Sequence, residues 1–108
     1  MADHDSLGEF EHLVLLAVLR VGAGAYGIPV RAEIETQAGR AVSLGALYST
    51  LRRLETKGLI CAQTVEAEET GRPRKVVAVT PEGLRVVQIA QMRLRRMSEG
   101  LEALFSDP

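Results

Sequence analysis

Two short groups of basic residues are the strongest chemical signals in this chain. Arg52 and Arg53 follow the small residues Gly45, Ala46 and Ser49, and Gly71-Arg72-Pro73-Arg74-Lys75 carries three positive charges in succession around a proline. Guanidinium and ammonium groups at neutral pH are donors without acceptors, and phosphate is the anion they match best. Small residues ahead of two arginines would let a helix approach a DNA major groove about 12 Å wide, with Ser49, Arg52 and Arg53 reaching base edges or phosphates. The hydroxyl of Tyr48, beside the same face, could reach a phosphate. A basic hairpin tip can lie along the DNA backbone or place an arginine in the minor groove, where the potential is most negative.

Other chemistries find little support. No Ser/His/Asp, Cys/His or paired-carboxylate arrangement stands out, so no catalysis is expected. His4 and His12 have no metal-ligand companions at useful spacing; His12 reads as a helix-surface residue. The single Cys61 excludes an internal disulfide and a CxxC motif, and reads as a small half-buried core residue. Gly22-Ala23-Gly24-Ala25-Tyr26-Gly27 matches G-x-G-x-x-G literally. A dinucleotide site would need a preceding strand and a further βαβ unit, for which 108 residues leave no room. These glycines read as a turn, and neither a cofactor nor a metal is expected.

A net charge of −1 looks wrong for a phosphate binder until it is divided along the chain. Residues 1–42 carry three basic and six acidic side chains, residues 43–75 six and four, and residues 76–108 four of each. The positive excess falls on the segment with both basic groups, and local field matters more to phosphate than total charge.

The elements that must position these groups follow from local signals. Ser6-Leu7-Gly8-Glu9 fits a capping box ahead of a first helix over Phe10 to Val21. Residues 13–19 are apolar all round, which demands cover on more than one side and points to a partner subunit. A second helix should begin near Gly27 to Pro29 and end at Gly39, with Val30, Ile34 and Ala38 inward. Ser43 should cap a third helix that stops at Gly58, with Leu44, Leu47, Leu51 and Leu54 on one stripe. Leu59 to Glu66 and Val76 to Thr80 read as a hairpin around a long charged tip, Ala67 to Lys75. Thr80-Pro81-Glu82-Gly83 starts a last helix carrying the seam Val87, Ala90, Leu94, Met97, Leu101 and Leu104, interrupted by Gly100. Arg93, Arg95 and Arg96 read as its solvated face.

This order predicts a mainly α fold with a two-stranded β wing: a winged helix-turn-helix over residues 6–80 and a C-terminal dimerisation helix over 81–105. Leu13 and Leu16 on the first helix, with Val87, Ala90, Leu94, Met97 and Leu101 on the last, are the expected dimer interface. No apolar run approaches the length of a membrane span and no leader pattern opens the chain, so a cytoplasmic protein is expected.

The stretches Gly8-Glu9-Phe10-Glu11, Ala25-Tyr26-Gly27-Ile28-Pro29, Val42-Ser43-Leu44-Gly45-Ala46-Leu47-Tyr48, Leu54-Glu55-Thr56-Lys57-Gly58-Leu59, Gly71-Arg72-Pro73-Arg74-Lys75 and Thr80-Pro81-Glu82-Gly83 together resemble the PadR family of bacterial transcriptional regulators. The resemblance, over about residues 6 to 100, implies a dimeric winged-helix protein that binds double-stranded DNA, commonly a repressor, dimerised through its C-terminal helix. It implies Tyr26, Ser43, Tyr48, Ser49, Arg72, Arg74 and Lys75 as DNA-facing residues, and a small phenolic or hydrophobic effector. The second wing strand, where the family often carries an aromatic, here reads Val76-Val77-Ala78-Val79. The expected function is a homodimer on an inverted-repeat operator, with two third helices in major grooves about 34 Å apart. The alternatives are a winged-helix protein-interaction module, favoured by the acids Glu66, Glu68 and Glu69, and a small-molecule carrier dimer.

Overall fold

Helix α1 (Glu9–Val21) is the element around which the others are arranged in the computed structural model, which describes residues 7–106. Helices α2 (Gly27–Ala38) and α3 (Leu44–Thr56), strands β1 (Ile60–Glu66) and β2 (Pro73–Val79), helix α4 (Pro81–Ser98) and the single turn α5 (Glu102–Phe105) follow. The expected Ser6 cap lies outside the described residues. The helix starts on Gly8, whose N–H donates to Glu11 Oε1 at 3.0 Å, so the carboxylate reaching back is Glu11 and not Glu9. Glu9 is instead engaged by Arg40, Nη1 to Oε1 3.0 Å.

The all-round apolarity of α1 is satisfied largely within the chain. α1 touches α2, α3, β2 and α4, and Val14, Leu15, Ala17 and Val18 are buried. What these neighbours leave uncovered is narrower than the sequence suggests: Leu13 and Leu16 stay half-buried and Leu19 exposed. His12, expected on the surface, is half-buried.

Local signals placed the next two helices well. Gly39, in the left-handed region at φ +62°, ends α2. Val30 and Ile34 enter the core, but Ala38, at the helix end, is exposed. The Ser43 side chain caps α3 by accepting from Ala46 N–H at 3.1 Å, and Leu47, Leu51 and Leu54 form its buried stripe. Leu44 is half-buried and Thr50, not part of the apolar stripe, joins the buried face.

The wing differs from expectation in one respect that matters for function. β1 and β2 pair antiparallel from Ile60↔Val79 to Glu66↔Pro73, so the ladder runs further out than the β-branched residues alone suggest. The turn is confined to residues 67–72 and closed by Ala67 N–H to the Arg72 carbonyl at 2.9 Å. Arg74 and Lys75 therefore belong to strand β2, and Arg72 alone of the three basic residues stays at the tip. On the opposite edge of β2, Val77 N–H donates to the Ala25 carbonyl at 2.8 Å. The register also corrects the reading of Cys61. It pairs with Ala78 and is exposed, while its neighbour Ile60 and the cross-strand Val77 point into the core.

Thr80 caps α4, accepting from Gly83 N–H at 3.0 Å and donating to the Gly58 carbonyl at 2.7 Å. The helix lies so close to the chain leading into β1 that a Cβ on Gly83 would overlap the Leu59 carbonyl. Val86 and Val87 are buried here, so Val87 belongs to the core of its own chain and offers no surface to a partner. The expected 81–105 helix is broken: α4 ends at Ser98, Gly100 takes φ +84°, and α5 follows. Beyond half-buried Ala90 the apolar seam is bare, with Leu94 60%, Met97 78%, Leu101 39% and Leu104 77% exposed. The radius of gyration, 15.6 Å, exceeds the value of about 13 Å for a compact domain of this size, as a projecting arm requires. Among the described residues no helix is long and apolar enough to cross a membrane, and no group of His, Cys, Asp or Glu could hold a metal ion.

Candidate nucleic-acid interface

The exposed face of α3 is formed by Gly45, Ala46, Tyr48, Ser49, Arg52 and Arg53, because the leucine stripe and Thr50 are turned to α1 and the core. At its N-terminal end a groove of about 430 Å³ is bordered by Phe10, Arg40, Ser43, Ala46, Ser49 and Arg53. Arg40 lies over the Phe10 ring, 5.1 Å from the centroid, as well as on Glu9. At the other end a cleft of about 240 Å³ brings Tyr26, Tyr48, Arg52, Glu55 and Lys75 together. The helix face and the wing strand thus border one surface.

The aromatic residues on this surface are held by close packing. Gly27, at the start of α2, is buried under Tyr48, and any side chain at position 27 would collide with the phenol ring. The Tyr48 hydroxyl is thereby placed against the start of α2. The ring of Tyr26 lies under the Arg74 guanidinium, 3.9 Å from carbon to centroid.

The basic residues differ in how far they are committed within the protein. Arg52 and Arg72 are exposed and have no side-chain hydrogen bond or ion pair among the described residues. Arg53 donates to Thr50 Oγ1 at 3.2 Å and lies 3.7 Å from Glu11 Oε2. Lys75 Nζ is 3.1 Å from Glu55 Oε1, which joins the wing to α3. Ser43 is occupied as a cap.

Glu11 anchors α3 to α1. It is 7% exposed and receives Lys57 Nζ at 2.9 Å as well as the Gly8 N–H. Burial by itself pushes its pKa up. The hydrogen bonds from Lys57 and Gly8 and the charges of Lys57 and Arg53 outweigh burial and hold it below the usual 4.5, so the carboxylate stays ionised. The sequence reading missed Glu11, Glu55, Gly27 and Arg40 as parts of this surface. Glu11 carries only the local signal of its bond to the Gly8 N–H; its contact with Lys57, like those of Glu55, Gly27 and Arg40, is to a residue distant in sequence.

The expected dimer residues are brought together only in part within one chain. Leu13 and Leu16 line a groove of about 170 Å³ with Ala17, Ile34 and Ala38, edged by the Arg20–Glu33 ion pair and Gln37. Leu94, Met97 and Leu101 are on the projecting arm.

The family model described as the transcriptional regulator PadR-like family matches residues 15–89. Similar solved structures include a PadR family transcription regulator from Clostridium difficile, at TM-score 0.76 and 20% identity, covering 92% of this chain and 100% of that one. A PadR-like regulator from Bacillus cereus aligns at 0.74 and 20% identity, over 92% and 93% of the two chains. A PadR family regulator from Eggerthella lenta aligns at 0.68 and 26% identity, over 93% and 88%. No curated protein matches the sequence significantly.

Proposed function

The chain belongs to the PadR-like family of transcriptional regulators, and from that premise we propose that it is a homodimeric repressor acting on an inverted-repeat operator. One observation carries the DNA reading: the exposed face of α3 joins small residues to Tyr48 and the uncommitted Arg52, beside a wing that ends in the uncommitted Arg72. Small residues permit close approach to a major groove, and the free guanidinium groups supply base-edge or phosphate contacts. Ser43, Ser49 and Tyr26 complete the contact set.

Dimerisation is supported by two apolar surfaces that the single chain leaves uncovered, the arm at Leu94, Met97 and Leu101 and the groove at Leu13 and Leu16. Two copies exchanging arms would cover both surfaces, and reading successive major grooves on one side of the duplex requires their α3 helices to lie about 34 Å apart. A dimer seated on an operator within a promoter would repress by occluding that DNA.

The test is an electrophoretic shift with DNA from upstream of the protein's own gene, followed by footprinting. A salt-sensitive shift with an approximately two-fold symmetric footprint is expected. No sequence-specific shift at submicromolar protein refutes the reading and favours a protein-interaction role for the same face.

A further inference from the structure

The three basic residues of the wing share a sequence neighbourhood but not an environment. Arg72 is at the turn, exposed, with its side chain unpaired among the described residues. Arg74 is half-buried with its guanidinium over the Tyr26 ring at 3.9 Å. Lys75 is on the core-facing side of β2 with Val77 and Val79, and its ammonium group reaches Glu55 of α3 at 3.1 Å. Between these two contacts and the Val77 N–H to Ala25 carbonyl bond, β2 is tied to the start of α2 and to the last turns of α3.

Glu55 is the informative residue. A carboxylate on the exposed face of a DNA-binding helix repels phosphate, yet here it lies in the cleft between Arg52 and the wing. Its contact with Lys75, 3.1 Å and solvent-exposed, gives it a partner on the wing and joins β2 to the last turn of α3. Tyr26 meets the wing from the other side through Arg74. We propose that Arg74 and Lys75 are positioning residues that hold the wing, and that Arg72 is the wing's phosphate ligand. The assignment rests on the DNA-binding reading above.

The two roles leave different marks on salt dependence, because only a cation that neutralises a phosphate releases counterions. The full chain is titrated onto a labelled mixed-sequence duplex between about 50 and 200 mM salt, followed by fluorescence anisotropy. Arg72→Ala should reduce the slope of log K against log salt by about 0.9 for each subunit bound. Arg74→Gln and Lys75→Gln should leave the slope unchanged and weaken binding about 2- to 5-fold, as loss of a stacked or paired contact does. Glu55→Gln should also weaken binding, and Glu55→Gln with Lys75→Gln should be no weaker than either alone. A slope reduced by Arg74→Gln or Lys75→Gln as much as by Arg72→Ala overturns the proposal, and so does tighter binding by Glu55→Gln. Failure of the unsubstituted protein to bind any duplex removes the DNA-binding reading itself, and is distinct from both.

Discussion

Replacing Glu11 by Gln keeps the shape of the side chain and removes its charge, which makes it a direct probe of how α3 is held to α1. The carboxylate receives Lys57 at 2.9 Å and the Gly8 N–H at 3.0 Å, with Arg53 at 3.7 Å. A hydrogen bond to a charged group contributes about 1.5–3 kcal/mol net. Lys57 and Arg53 are 36% and 57% exposed, so water resolvates part of each when the partner charge goes. The expected loss therefore falls near the lower end, about 1.5–2 kcal/mol. For a domain of this size that lowers the melting temperature by roughly 6–14 °C, measured at one protein concentration so that the proposed self-association is held constant. The effect must also depend on pH with a definite sign. Glu11 has a lowered pKa in the folded protein, so its contribution is complete above its ordinary value of 4.5 and fades as pH falls through the folded value. The gap between parent and variant should narrow below about pH 4.5. A variant that melts within about 1 °C of the parent at neutral pH refutes the reasoning, as does a gap that stays constant down to about pH 3.

Three further outcomes follow from the packing. Gly83→Ala should destabilise by about 1–3 kcal/mol in urea titrations, although Ala is the better helix former, because the new methyl meets the Leu59 carbonyl. Gly27→Ala should cost a similar amount by displacing the Tyr48 ring, and combining it with Tyr48→Ala should be clearly less than additive; strict additivity would show that the two do not meet. Leu94→Glu with Met97→Glu, both on the exposed arm, should convert the proposed dimer to a monomer in sedimentation while the far-UV circular dichroism keeps its helical shape. An unchanged mass would place the interface elsewhere.

Much of this protein is written in local sequence. Ser43, Thr80-Pro81 and Gly39 mark helix ends because caps and terminators act on backbone groups within a few residues. The buried stripe of α3 follows from its helical period, and so does its exposed small-residue face. The concentration of positive charge on residues 43–75 needed only counting. Periodicity could not tell which cover α1 receives, so its apolar circumference overstated the need for a partner; α2, α3, β2 and α4 supply most of it.

What tertiary structure alone decided is the division of labour among the charges. Arg53 and Arg52 are adjacent in sequence, yet one leans on Glu11 and the other has no side-chain partner among the described residues. Arg72, Arg74 and Lys75 look equivalent until the register of the hairpin puts one at the turn and the others against Tyr26 and Glu55. The partners that make the difference lie far away along the chain, 46 positions for Lys57 and Glu11 and 20 for Lys75 and Glu55. Composition and period describe a residue's own stretch of backbone. Whether a charge is spent inside the protein or left for a ligand depends on which other stretch folds against it.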